Sequence, residues 1–135
     1  SEMHAAMGLC VLDAIEEILS RRKAQCEYYD EQLAPLNLKR PEPVEEASVN
    51  HAYYPVLFES HEAMKAALQA LKENDISPRR YFYPSLSSLD YVPEADTPVS
   101  DDVAARVLCL PLYHELTEAQ QRDVAQTLKK NKVPS

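Results

Sequence analysis

The opening helix of this sequence is too greasy to be covered by the residues that follow it. Residues 1–34 read as one long helix. Its first third, Met3-His4-Ala5-Ala6-Met7-Gly8-Leu9-Cys10-Val11-Leu12, is apolar almost all round, and such a helix belongs where protein encloses it on every side. After Ile15 the pattern turns amphipathic. Ile15, Ile18, Leu19, Arg22, Cys26, Tyr29 and Leu33 recur at helical spacing, while Glu16, Glu17, Arg21, Lys23, Glu27 and Asp30 fall mostly on the outer side. Pro35 then stops the helix. A helix of about 30 residues spans on the order of 45 Å, more than a small domain can surround. Its leading turns are therefore expected to dock on polypeptide outside this chain. Gly8 costs about 1 kcal/mol against alanine in a helix. Close approach of another backbone, or simple tolerance, would each account for it.

That glycine is the only one in the 135 residues, against ten prolines. Phosphate-cradling loops, nucleophile elbows and dinucleotide turns need glycine where the backbone approaches a ligand or takes positive φ. None can be built here, which excludes a self-contained nucleotide enzyme of those kinds. Fourteen basic against 22 acidic residues leave a net charge of −8, so the chain repels phosphate backbones and no nucleic-acid partner is expected. No stretch approaches the roughly 20 apolar residues of a membrane helix, and no basic region precedes the first apolar run. A cytoplasmic protein with no membrane contact is expected. Cys10, Cys26 and Cys109 are widely spaced, with no Cys-x-x-Cys and no neighbouring His, so they read as buried, inert thiols and not as a metal site.

Residues 35–48 form a Pro- and Glu-rich surface connector. A strand is expected over 50–59, with Ala52, Tyr54, Val56 and Phe58 on one face and His51, Tyr53, Pro55 and Leu57 on the other. Pro55 cannot donate to a ladder, so this strand should lie at an edge or carry a bulge. Ser60 caps a helix with Met64, Ala67, Leu68 and Leu71 inward, ending near Asn74. Residues 76–83 are a second extended segment, followed by a loop, a short helix over 100–106 and a brief strand over 107–109. Thr117-Glu118-Ala119-Gln120 is a capping box opening a last helix to about Asn131, with Val124 and Leu128 inward. This order predicts an α+β fold: a small, mostly antiparallel sheet of three or four strands, helices on one face, and a long N-terminal helix.

Four stretches, read in order, resemble the C-terminal portion of the DegT/DnrJ/StrS family of pyridoxal-phosphate (PLP) sugar aminotransferases. Ser1-Glu2-Met3-His4-Ala5-Ala6-Met7-Gly8-Leu9 is similar to the family's Ser-Glu-x-x-Ala-Ala-x-Gly-Leu. Arg21-Arg22-Lys23 with Tyr28-Tyr29 and Leu33 resembles its Arg-Arg…Tyr-x-x-x-Leu run. Ile76-Ser77-Pro78-Arg79-Arg80-Tyr81-Phe82-Tyr83-Pro84-Ser85-Leu86 resembles the segment Gly-Ile…Arg-x-Tyr-x-Pro-x-Leu. Arg106-Val107-Leu108-Cys109-Leu110-Pro111-Leu112-Tyr113, then Leu116-Thr117-Glu118, resembles its Leu-Pro-x-Tyr…Leu-Thr-x-Glu ending. There are departures. Asp75 stands where many members have Gly, so any left-handed turn falls to Asn74-Asp75. Ser87 stands where many have a His.

The resemblance implies that residues 1–135 are the C-terminal small domain of such an enzyme, with 1–34 its interdomain helix and 48–135 the α+β unit. The parent would convert a nucleotide-linked keto-sugar to an amino-sugar for polysaccharide biosynthesis, with PLP as cofactor and as a homodimer. The family's Schiff-base lysine, pyridinium-contacting Asp and phosphate loop would lie upstream, in an N-terminal PLP domain. This piece is accordingly expected to hold no cofactor, metal or catalytic residue and to be inactive alone, supplying substrate wall and dimer contacts.

For that wall the candidate substrate-binding residues are Arg79, Arg80, Tyr81 and Tyr83, because a guanidinium pairs bidentately with the oxygens of a nucleotide-sugar diphosphate. Adjacent arginines on an extended segment face opposite ways, so at most one should meet the ligand. Ion pairing with surface acids and sheet packing are the competing roles. Tyr53 and His51 are weaker candidates, and His4, His61 and His114 read as structural. The alternative from another class is a free-standing protein-interaction module gripping its partner with the apolar helix end. A complete small hydrolase has no Ser/His/Asp or Cys/His arrangement to stand on.

Overall fold

The computed structural model describes residues 1–81, 83–93 and 95–131. Along the chain lie α1 (Glu2–Asp13), α2 (Ile15–Leu33), a 3-10 turn (Ala34–Leu36), β1 (Tyr54–Leu57), α3 (His61–Glu73), a second 3-10 turn (Leu86–Ser88), α4 (Pro98–Arg106), β2 (Val107–Leu110) and α5 (Glu118–Lys130). The fold is α+β, as the order of patterns predicts.

Among the described residues the sheet is smaller than expected. Only β1 and β2 form a ladder, antiparallel, with Tyr54 opposite Leu110 and Leu57 opposite Val107. Single bridges, Lys39 to Leu57 and Arg79 to Cys109, flank it. Four chain segments thus lie side by side, but the outer two pair at one residue each. The expected strand over 50–59 shrinks to four residues, and the segment 76–83 makes its one bridge at Arg79 (Phe82 of that segment lies outside the described residues). Pro55 explains part of this. The Phe58 N–H donates to the Arg106 carbonyl while the Leu57 N–H turns outward to Lys39. Pro55, in phase with Leu57, therefore directs its nitrogen away from β2, where no donor is needed.

Alternation along the ladder sorts its two faces. Tyr54, Val56, Phe58, Leu108 and Leu110 are buried against Tyr29, Met64, Leu71, Val124 and Leu128 of α2, α3 and α5. The opposite face carries Tyr53, Pro55, Val107 and Cys109. Two glutamines and a tyrosine pin α2 and α5 to the chain after β2. The Gln25 side-chain amide donates to the carbonyls of Tyr113 (2.9 Å) and Leu116 (3.0 Å), Gln121 donates to the Gln25 carbonyl (2.8 Å), and the Tyr29 hydroxyl donates to Pro111 (3.0 Å). Burial raises the Tyr29 phenol above its usual range. Tyr54 is raised too, by burial and then by its hydrogen bond to Asp30 (2.7 Å).

The local signals are met at several ends. Ser60 accepts from the Ala63 N–H at 3.0 Å, and Thr117 with Gln120 completes a reciprocal capping box. Asp75 takes φ 59°, so the left-handed turn after α3 is made without glycine.

The expected single helix over 1–34 is two. At Ala14 (φ −106°, ψ 4°) the N–H bonds to Leu12 and Val11, breaking the ladder between α1 and α2. Neither proline nor glycine stands there. The break falls where tertiary support begins: α1 buries no residue, whereas α2 buries Gln25, Cys26, Tyr29 and Leu33. A helix without packing is held by propensity alone. Met3, Met7, Leu9 and Leu12 are all more than 60% exposed, and a Cβ on Gly8 would meet nothing within 4 Å. Cys10 is exposed as well, which corrects the reading of three buried thiols, while Cys26 and Cys109 are buried and their thiols pushed up by desolvation. Nor is the connector 35–48 wholly superficial, for Leu36 and Leu38 pack on the core. Among the described residues no helix is long and apolar enough to cross a membrane, and no cluster of His, Cys, Asp or Glu could hold a metal.

Candidate functional site

The outer face of the ladder is the floor of a groove of about 530 Å³. Tyr53 and Pro55 from β1 and its lead-in, with Val107 and Cys109 from β2, supply that floor. Tyr81 stands at one side, the 3-10 turn with Ser85, Leu86 and Ser87 at another, and Thr97, Ser100, Val103 and Ala104 of α4 close it. Its volume is in the range of small-molecule sites. Every described lining residue is formally neutral.

The four sequence candidates divide into two pairs. Arg79 and Tyr81 share the groove side. The Arg79 guanidinium donates to the Tyr81 hydroxyl at 3.1 Å, which favours its charged form, and the Tyr81 ring meets Tyr53 edge-on at 5.0 Å. Among the described residues Arg79 has no carboxylate partner, and it is exposed. Arg80 turns the other way. It donates to the carbonyls of Ala104 (3.2 Å) and Ala105 (3.3 Å), a cation at the C-terminal end of α4, and stacks 3.4 Å over the Tyr83 ring. His61 joins that cluster, its Nδ1 2.7 Å from the Ala105 carbonyl and its ring 6.5 Å from Tyr83. So Arg80 and Tyr83 brace α4, and the two guanidinium groups point to different partners. His51 is half-buried at φ 49° and does not line the groove. Tyr53, ranked lower from sequence, is a principal wall residue, 58% exposed.

Sequence reasoning missed a hydroxyl cluster. Ser87 donates to Asp101 at 2.5 Å, Ser85 lies 3.0 Å from Ser87, and the Thr97 hydroxyl is 3.3 Å from both Asp101 oxygens. The Ser87 hydroxyl, then Ser85 and Thr97, hold the Asp101 carboxyl below the ordinary range. The only sequence signal was Ser87 in place of a family histidine. Fourteen residues separate it from Asp101, and no local pattern joins them.

A sequence profile of the DegT/DnrJ/EryC1/StrS aminotransferase family matches residues 1–129. The dTDP-4-amino-4,6-dideoxy-D-glucose transaminase of Escherichia coli is 34% identical over 128 residues, covering 87% of this chain and 34% of that protein. Among solved structures, DesI in the presence of its TDP-sugar product superposes with a TM-score of 0.82 at 31% identity, over 93% of this chain and 34% of that one. Aminotransferase TlmJ from Streptoalloteichus hindustanus gives 0.84 at 23% identity, over 94% and 35%, a likeness of fold. The chain spans about a third of the length of these relatives. A lysine that binds PLP covalently is one activated by desolvation or a neighbouring charge. Lys23, Lys39, Lys65, Lys72, Lys129 and Lys130 are all exposed, so none of the described lysines fits that role.

Proposed function

This chain belongs to the DegT/DnrJ/EryC1/StrS aminotransferase family, and from that premise we propose that it is the C-terminal small domain of a PLP-dependent enzyme that aminates a nucleotide-linked keto-sugar. PLP, when bound, supplies the electron sink for transamination. In this reading the cofactor and its lysine belong to the N-terminal domain, α1 docks there, and residues 48–135 form the α+β unit. The contribution of this chain is recognition: the groove walled by Tyr53 and Tyr81 takes the uncharged part of the substrate, and Arg79 at its edge pairs with the diphosphate. Arg80 and Tyr83 act as positioning residues that hold α4 against the groove.

The observation that carries the reading is the family match running through residues 1–129, with Arg79 left exposed beside a neutral groove. The test is kinetic, on the intact protein carrying this chain. Arg79→Ala is expected to raise KM for the nucleotide-linked keto-sugar about 10- to 100-fold with kcat nearly unchanged, the signature of lost uniform binding. Arg80→Ala should lower thermal stability instead. An intact, folded protein that shows no PLP absorbance and aminates no nucleotide-linked sugar would overturn the proposal.

A further inference from the structure

Resting on that functional reading, we propose that Ser85, Ser87 and Thr97, oriented by Asp101, form an acceptor-only wall that recognises a hydroxyl or amino group of the substrate's sugar ring, leaving the anionic diphosphate outside at Arg79. The argument begins with proton counting. A hydroxyl has one proton and two lone pairs. Ser87 commits its proton to Asp101 at 2.5 Å, so Ser85, 3.0 Å from Ser87, must be the donor in their contact or donate to Asp101 itself. Thr97 is 3.3 Å from both oxygens of the same carboxylate, which can only accept. All three protons are thus committed within the cluster that Asp101 anchors. What these side chains retain for a ligand in the groove they line is lone pairs.

Two further observations narrow the ligand. Among the described residues the lining of the groove is neutral, so a phosphate placed against them would lose hydration without gaining a counter-charge. Arg79 lies outside that lining, one hydrogen bond away through Tyr81 (3.1 Å). Besides Ser100 and Tyr81, the groove is lined by Tyr53, Pro55, Leu86 and Val103, apolar bodies suited to the C–H face of a ring, with Ala104, Val107 and Cys109. An uncharged or amino-bearing ring with donors on one edge and an anionic arm leading out satisfies all three. A pyrimidine base offers fewer donors and more carbonyls, which would meet lone pairs with lone pairs.

The experiment compares two probes by calorimetry on the intact protein: a nucleotide-linked amino-sugar, and the nucleoside diphosphate without its sugar. Asp101→Asn replaces one carboxylate oxygen with an NH2 donor and removes the charge, so the amide oxygen alone remains to accept and hydroxyl protons are freed for the groove. Affinity for the sugar-bearing probe is expected to fall about tenfold, some 1.4 kcal/mol, while affinity for the bare nucleoside diphosphate stays within about twofold by the same measure. Arg79→Ala should weaken both. Ser87→Ala removes one acceptor without altering the charge of α4 and should give the same split, which keeps the test decisive if Asp101→Asn unfolds. Equal changes for the two probes, or none for either, would sink the acceptor wall while leaving the functional reading intact. A folded protein that binds neither probe would sink that reading, and the wall with it.

Discussion

Two neighbouring helices, α1 and α2, teach opposite lessons about burial. α1 is the more apolar, yet it buries nothing, and Met3, Met7, Leu9, Val11 and Leu12 all face solvent. α2 is rich in charge, yet it buries Gln25, Cys26, Tyr29 and Leu33, accepts from the Gln121 amide of α5 and donates through its own Gln25 amide to the chain after β2. Apolar content says what a helix would gain from contact. Whether contact exists depends on what the rest of the chain brings alongside. For α2 the ladder and α5 arrive from 24 to 97 residues away in sequence; for α1 none of the described residues comes to bury it.

Substitutions on the packed side should cost most. Leu108→Ala removes a fully buried side chain from β2 and is expected to destabilise the chain by about 2–5 kcal/mol, read as a lowered midpoint in urea. The comparison breaks if this change is as mild as one on α1. A smaller effect, with a sign, comes from alkali. Tyr29 and Tyr54 are raised in the folded state above the unfolded value of about 10. Their contribution is fully present below that pH and is lost as pH rises toward the folded values, by at most about 1.4 kcal/mol per pH unit for each tyrosine. The melting temperature should therefore fall above about pH 10, and a Tyr29→Phe/Tyr54→Phe variant, though less stable at neutral pH, should show a flatter alkaline limb. The smallest effect belongs to α1. Met7→Ser with Leu9→Ser should change the stability of the 135-residue chain by no more than about 0.5 kcal/mol while reducing its binding of a hydrophobic dye. A large loss of stability there would mean that α1 is packed after all.

Much of the scaffold was legible because its signals are local. Ser60, Thr117 and Gln120 cap helices by hydrogen bonds three residues long, and the inward set Met64, Ala67, Leu71, Val124 and Leu128 follows from a period of 3.6. Tyr54, Val56 and Phe58 declared the core face of β1 by alternation. The candidate site was half legible. Family likeness marked the stretch 79–83, and the alternation argument anticipated that its arginines would part. That Tyr53 would rise from weak candidate to groove wall, or that Ser87 would find Asp101, depends on β1, the turn at 86–88 and α4 meeting in space.

By itself, then, the sequence determined the helix ends, the inward faces, the left-handed turn at Asp75 and the excess of apolar surface near Met3. These are set within one or two turns of chain, where steric and hydrogen-bonding rules act between near neighbours. The tertiary structure decided the break at Ala14, the single bridge at Arg79 where a strand was expected, the parting of Arg79 from Arg80, and the groove on the outer face of β1 and β2. Each of those depends on a partner distant in sequence, and the free energy of meeting it is written in no single window of residues.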